Sequence, residues 1–106
     1  MVFDFVSLAK DSKALNPYVF SIIRFQLLLN LSVADEASYR ELKAGLQIND
    51  GALYTNLKAL EKMGYINSRK ELIGKKKLEI YWITPSGREE WNQIKEWLKK
   101  VANNGL

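Results

Sequence analysis

Along this chain the spacing of apolar residues switches from helical to alternating and back to helical, and the switches locate the elements. Leu53, Leu57, Leu60 and Met63 fall on one side of a helix, with Gly51, Tyr54, Thr55, Lys58 and Lys62 on the other. Asn49 can cap this helix, Ile48 and Leu53 are spaced as a hydrophobic staple, and Gly64 can end it in a left-handed conformation. Upstream, Ser38-Tyr39-Arg40-Glu41 is a capping box that opens a short helix reaching about Gly45, and Leu46-Gln47-Ile48 makes the turn between the two. Downstream, residues 65–72 and 78–84 read as strands joined by Ile73-Gly74-Lys75-Lys76-Lys77, a hairpin with glycine at its turn. Leu78, Ile80 and Trp82, the Leu78 set, alternate with Glu79 and Tyr81, which predicts that one face of the strand is buried.

Helices flank this unit on both sides. Phe3, Phe5, Val6, Leu8 and Leu15 lie among charged neighbours in a short amphipathic helix, and Asn16-Pro17 starts a second helix. That second helix, to Leu31, is apolar on nearly every side, so its own domain and a second subunit are expected to cover it together. Thr84-Pro85 opens the last helix, with Glu89 and Glu90 toward its positive end and Lys99 and Lys100 toward its negative end. Its apolar stripe is Trp91, Ile94, Leu98 and Val101, with Trp97 at the margin. Reaching about Asn103, it would be roughly 28 Å long, and its distal half is expected to overhang the core and need a partner.

The expected fold class is α+β, mostly α: a winged helix-turn-helix with extra N-terminal and C-terminal dimerisation helices. One domain is expected over residues 1–106, with the N-terminal helices over 1–32, the helix-turn-helix and wing over 38–84, and the C-terminal dimerisation helix over 85–103. Charge sharpens this. The stretch from Tyr54 to Lys77 carries Lys58, Lys62, Arg69, Lys70, Lys75, Lys76 and Lys77 against only Glu61 and Glu71, whereas the whole chain nets +4. The basicity is a patch on one module rather than a property of the composition.

The 106 residues contain no cysteine and no histidine, which removes disulfides, thiolate metal sites, imidazole catalysis and nearly all zinc sites. No cofactor, no metal and no enzymatic activity are expected. Ser7-Leu8-Ala9-Lys10 matches an acyl-transfer pattern but lacks its companion motifs, and Gly74-Lys75-Lys76 lacks the rest of a phosphate loop. Without a signal peptide pattern or an apolar run of about 20 residues, a cytoplasmic location and no membrane partner are expected.

The run Ile48 to Leu57, then Leu60-Glu61-Lys62-Met63-Gly64-Tyr65-Ile66, Gly74-Lys75-Lys76 and Tyr81 through Thr84-Pro85-Ser86-Gly87, resembles small winged-helix transcriptional regulators of the MarR/ArsR-like superfamily. The resemblance is to the compact archaeal-type group in which Asp-Gly opens the recognition helix and Gly-Arg-Arg forms the wing. It spans roughly residues 15–100. Asn56 stands where that group commonly has histidine, and Lys77 where proline often follows the wing arginines. The resemblance implies a homodimer, joined through its first and last helices, on a near-palindromic operator in double-stranded DNA. The thiolate metal centres of some ArsR-type sensors are excluded by the missing cysteines.

These readings assign residues. Asp50, Gly51, Tyr54, Thr55, Asn56, Lys58 and Lys62 form the expected recognition helix, since only polar groups there can meet the donor and acceptor pattern of base edges. Ser38, Tyr39 and Arg40 are expected to meet DNA at the start of the preceding helix. Arg69, Lys70, Gly74, Lys75, Lys76 and Lys77 form the expected wing contact, because three adjacent lysines repel one another unless a polyanion compensates. The expected dimer interface is Phe3, Phe5, Leu8, Val19, Ile23, Trp91, Ile94, Trp97, Leu98 and Val101. Tryptophans at helical spacing could also line a pocket for a small-molecule effector, but such stripes usually just pack, and nothing in the sequence supports an effector. The competing function is a winged helix used for protein contact. Such a wing should carry exposed apolar residues at its tip, and this one carries lysines.

Overall fold

A computed structural model describes residues 5–104. In chain order they form α1 (Phe5–Ser12), a 3-10 turn (Pro17–Val19), α2 (Ile22–Val33), β1 (Ala37–Ser38), α3 (Tyr39–Leu46), α4 (Asp50–Lys62), β2 (Ile66–Ile73), β3 (Lys76–Ile83) and α5 (Pro85–Asn104). This is the winged helix-turn-helix order, mostly helical, with helices added at both ends.

Local chemistry sets most boundaries. Ser38 caps α3 in a complete capping box, accepting from the Glu41 N–H at 3.1 Å while its own N–H donates to Glu41 Oε1 at 2.9 Å. Asn49 caps α4 by accepting from the Ala52 N–H at 2.8 Å. At the other end of α4, Tyr65 N–H reaches Leu60 O and Gly64 N–H reaches Glu61 O, with Gly64 at φ +80°. That pair of bonds with a left-handed glycine is a Schellman stop. α3 runs one residue past the expected Gly45, because Gln47 takes the left-handed cap at φ 53°.

The helix expected from Asn16-Pro17 to Leu31 is instead two pieces. Asn16 caps only the 3-10 turn, the chain leaves helical geometry at Phe20, and Ser21 caps α2 anew by accepting from the Arg24 N–H at 3.1 Å. The break turns Val19 inward, where it is fully buried.

Three antiparallel strands lie in the order β1-β3-β2. β1, which two residues are too short to announce by any period, pairs Ala37 with Tyr81 and Ser38 with Ile80. The wing register runs from Ile66 opposite Ile83 to Ile73 opposite Lys76. Its loop is thus only Gly74-Lys75, with Gly74 at φ +64° in the first central position, as a type II′ hairpin turn requires. The expected five-residue connection is corrected to two.

The burial of β3 only partly follows the expected alternation: Ile80 of the Leu78 set is buried, but so are two residues of the other set. Tyr81 and Ile83 join Ile66 in the core, while Trp82 is half-buried on the other side. From Ile80 to Ile83 both alternating sets are apolar, so the sequence pattern does not fix which faces in. Tyr81 is fully buried as the central strand's core residue, and its hydroxyl donates to Glu79 Oε2 at 3.1 Å. Burial first, then that carboxylate, pushes the phenol above its usual range.

The core joins Leu27, Leu28 and Leu31 of α2, Leu42 of α3, and Leu53, Leu57 and Leu60 of α4 to Trp91 and Ile94 of α5. Val19, Trp91 and Ile94, all expected at a dimer interface, are 0%, 6% and 0% exposed and belong to this core. Phe3 lies outside the described residues, as does the side chain of Phe5. The distal half of α5 does not overhang uncovered: α1 packs on it, with Trp97 Nε1 donating to Leu8 O at 3.1 Å and Lys100 paired to Asp11 at 2.7 Å. The molecule is elongated, 60 × 25 × 22 Å, with a radius of gyration of 16.0 Å. A compact chain of this size would have about 13 Å.

Candidate nucleic-acid interface

α4 presents Gly51, Tyr54, Thr55, Lys58 and Lys62 to solvent because Leu53, Leu57 and Leu60 anchor its opposite side. Tyr54 is exposed by 54%, and Lys58 Nζ sits 5.4 Å from its ring centre and 3.7 Å from Glu61 Oε1. The lysine is thereby held along the helix surface.

Two clefts lie between the start of α4 and the wing. One, of about 380 Å³, is lined by Tyr39 and Arg40 at the start of α3 and by Lys70, Lys77, Leu78 and Glu79 of the hairpin. A second, of about 560 Å³, runs from the same Tyr39 and Arg40 past Lys43 and Gln47 to Asp50 at the start of α4. Tyr39 and Arg40 line both, so the surface is continuous from recognition helix to wing. Among the described residues, none of Arg40, Lys70, Lys75, Lys76 and Lys77 forms an ion pair. Their charge is available to an external anion.

Five residues expected at the DNA face, Ser38, Tyr39, Asp50, Arg69 and Asn56, are engaged within the chain instead. Ser38 is buried as the α3 cap. Asp50 accepts from Lys43 Nζ and from the Tyr39 hydroxyl, both at 3.0 Å, which clasps α3 to α4; those bonds, the lysine's foremost, hold its carboxyl below the usual range. Burial, then the bond to Asp50, raises the Tyr39 phenol. Arg69 forks onto Glu36 and also reaches Glu71 at 3.2 Å, with its guanidinium 5.5 Å from the Trp82 ring centre. Strand alternation puts it on the opposite face of the hairpin from Lys70. The bond to Arg69 lowers Glu36, and the same bond raises Arg69.

Asn56 is the fifth. Its Nδ2 donates to Ala52 O at 2.7 Å, and its Oδ1 accepts from Arg24 Nε at 2.9 Å. Arg24 also donates to Tyr18 O, so one guanidinium ties the 3-10 turn to the recognition helix. Arg24, 32 residues away, was not singled out in the sequence, since a lone arginine in an apolar helix carries no pattern.

The hairpin holds a second surprise. Leu72 and Ile73, just before the turn, are exposed by 66% and 56%, so the tip is apolar as well as basic. Lysines at the tip therefore do not by themselves exclude protein contact.

Residues 23–102 match the winged helix DNA-binding domain family. The chain belongs to that family. It is 32% identical over 84 residues to an uncharacterized protein of Methanocaldococcus jannaschii, covering 78% of this chain and 91% of that one. Among solved structures, a transcriptional regulator homologue protein from Pyrococcus horikoshii OT3 superposes with a TM-score of 0.80 at 20% identity, over 92% of this chain and 96% of that one. The transcriptional regulator BldR from Sulfolobus solfataricus gives 0.70 at 21% identity, over 92% and 69%. The heme sensor PefR from Streptococcus agalactiae, in complex with heme, gives 0.75 at 18% identity, over 92% and 67%. The winged helix is a DNA-binding family rather than an enzymatic one. Among the described residues, no helix is long and apolar enough to cross a membrane.

Proposed function

We propose that this winged-helix protein is a cytoplasmic, sequence-specific regulator of transcription that binds double-stranded DNA as a homodimer on a near-palindromic operator and represses by occluding the promoter. The observation that carries it is the surface that runs from Asp50 at the start of α4 through Arg40 to Lys70 and Lys77 of the wing, with Gly51, Tyr54 and Thr55 exposed beside Asp50 on the recognition helix. Tyr54 and Thr55, near the start of α4, read base edges in the major groove, while Lys62 and Lys75 to Lys77 hold phosphates. With Asn56 committed inside, Thr55 carries more of the discrimination.

Dimerisation is supported by apolar surface that the chain leaves uncovered. Ile22, Leu29 and Val33 form a row along α2, exposed by 77%, 48% and 79%, and no charged side chain shares that outward face. Loss of charge is the compositional mark of an interface core. Ile23, Trp97, Leu98 and Val101, from the face expected in the sequence, are also partly exposed. Cavities of about 520 and 390 Å³ flank Trp97 between α1, the 3-10 turn and α5. PefR is a heme sensor, but neither histidine nor cysteine occurs in these 106 residues, so the usual axial ligands are missing here.

The test is selection of bound fragments from random duplex DNA, repeated with Thr55→Ala and with Lys75, Lys76 and Lys77 all changed to alanine. Thr55→Ala should weaken discrimination at one position by about 1–3 kcal/mol with the salt dependence intact, whereas each lost lysine–phosphate contact should lower the log-log salt slope by about 1. Unchanged motifs and slopes in both variants would overturn this reading in favour of a protein-contact role, to which the exposed Leu72 and Ile73 lend some support.

A further inference from the structure

The recognition helix is seated on the core by Leu53, Leu57 and Leu60, all fully buried. Apolar contact is strong but non-directional, so by itself it resists lifting of the helix better than rotation about its own axis. Rotation matters for reading bases. With side chains reaching about 5–6 Å from the axis, a turn of only ~10° carries the tip of one such as Thr55 by about 1 Å. That shift stretches a hydrogen bond of about 2.9 Å beyond its useful range.

Two grips oppose such a turn, and both come from the chain around the 3-10 turn. At the end of α4, Asn16 Nδ2 donates to the Tyr65 hydroxyl at 3.2 Å and to Met63 Sδ at 3.7 Å, while the Asn16 N–H donates to Glu90 Oε2 of α5 at 3.1 Å. About two helical turns earlier on the same face, Asn56 Oδ1 accepts from Arg24 Nε at 2.9 Å. Asn56 is itself tied to its own helix, because its Nδ2 donates to Ala52 O at 2.7 Å. The guanidinium thus holds the helix backbone through it. Arg24 Nη1 donates to Tyr18 O, and the planar fork of an arginine is what lets one side chain hold two acceptors at fixed angles. The frame behind it is firm: Phe20 packs edge-on against Phe25 and Trp97, with ring centres 5.3 and 5.8 Å away.

We propose that Arg24 is a positioning residue for base reading: by holding Asn56 to the Tyr18 carbonyl it fixes the rotation of the recognition helix, and with it the direction in which Thr55 meets the bases. This rests on the DNA-binding reading above and adds to it a determinant of specificity that touches no DNA. A supporting side chain of this kind keeps a contact residue within the roughly 0.5 Å and 10–20° that productive geometry allows.

The experiment repeats duplex selection and the salt titration with Arg24→Met, Arg24→Lys and Asn56→Ala, each read well below its own melting temperature. Asn56→Ala severs the same grip from the other side, at a helical position where alanine is favourable, so the result does not hang on how one variant folds. All three should lose roughly tenfold of the discrimination at the base position read by Thr55 while keeping the wild-type salt slope. Lysine should fail as methionine does, because a point charge does not hold two acceptors at fixed angles. In a Thr55→Ala background, Arg24→Met should cost no further discrimination at that position, a non-additivity confined to one base that general loss of stability does not produce. Undiminished motifs in all three variants would overturn the positioning role and leave the DNA-binding reading standing. Full function in Arg24→Lys with a lowered salt slope in Arg24→Met would also overturn it, assigning Arg24 to a phosphate instead. A wild type that selects no duplex would overturn both readings.

Discussion

Gly87 lies in the first turn of α5, where a Cβ would stand 2.0 Å from the carbonyl oxygen of Tyr65 and 2.9 Å from its Cα. Those are backbone atoms, and the same carbonyl accepts from the Thr84 N–H at 3.0 Å, so neither side can yield without breaking the joint between strand and helix. Gly87→Ala should therefore destabilise by about 3 kcal/mol and lower the Tm by more than about 10 °C. Gln47 offers the reverse case. It holds a left-handed conformation at the end of α3, and Gln47→Gly should raise stability by about 0.5–1 kcal/mol in the same thermal unfolding measurement. Neither site could be diagnosed from sequence alone. Residue identity shows what a side chain can do, as with Asn56, Asp50 and Arg69, but not that Arg24, Lys43 or Glu36 has already engaged it.

Elements were legible wherever their determinants are local. α4 could be placed from Asn49, four apolar positions and Gly64, because cap, stripe and stop all lie within its own length. The inward face of β3 and the break at Phe20 depend on what packs against them, and neighbouring residues do not encode that. The caps also set a pH limit. Glu36, Glu41 and Asp50 are all held below the ordinary carboxylate range, by Arg69, by the Ser38 backbone N–H and by Lys43 respectively. A carboxylate lowered by folding contributes stability above its unfolded pKa, near 4, and that contribution is lost as pH falls through the folded value. Urea midpoints should thus hold from neutrality to about pH 5 and decline below it, and Glu41→Gln should flatten the decline. Ser38→Ala should cost about 1 kcal/mol at pH 7 and move the Glu41 titration upward in carboxyl NMR.

For the molecule as a whole, the row of Ile22, Leu29 and Val33 is the surface to test. Leu29→Glu places a charge in its middle without touching the core, since Leu29 is 48% exposed. Sedimentation at micromolar concentration should give a dimer for the wild type and a monomer for Leu29→Glu, with the melting curve of the folded chain retained. A wild-type monomer, or a variant that associates unchanged, would remove the homodimer from the proposal. In a two-fold assembly the half-site centres would lie about 34–36 Å apart.

In the proposed dimer, the span between those centres would depend on a small knot of hydrogen bonds. The Thr84 hydroxyl donates to Gly64 O at 2.6 Å while accepting from the Gly87 N–H at 3.0 Å, and Ser86 reaches the same Gly64 carbonyl at 3.3 Å. The stop of the recognition helix and the start of the last helix are one rigid joint. A dimer built on such joints behaves as a caliper with its screw tightened. Inserting a single base pair between half-sites displaces one of them by about 3.4 Å along the axis and turns it by roughly 35°. With the joint tied by these bonds, the operators of the proposed dimer should tolerate base changes between the half-sites far better than any change in the distance separating them.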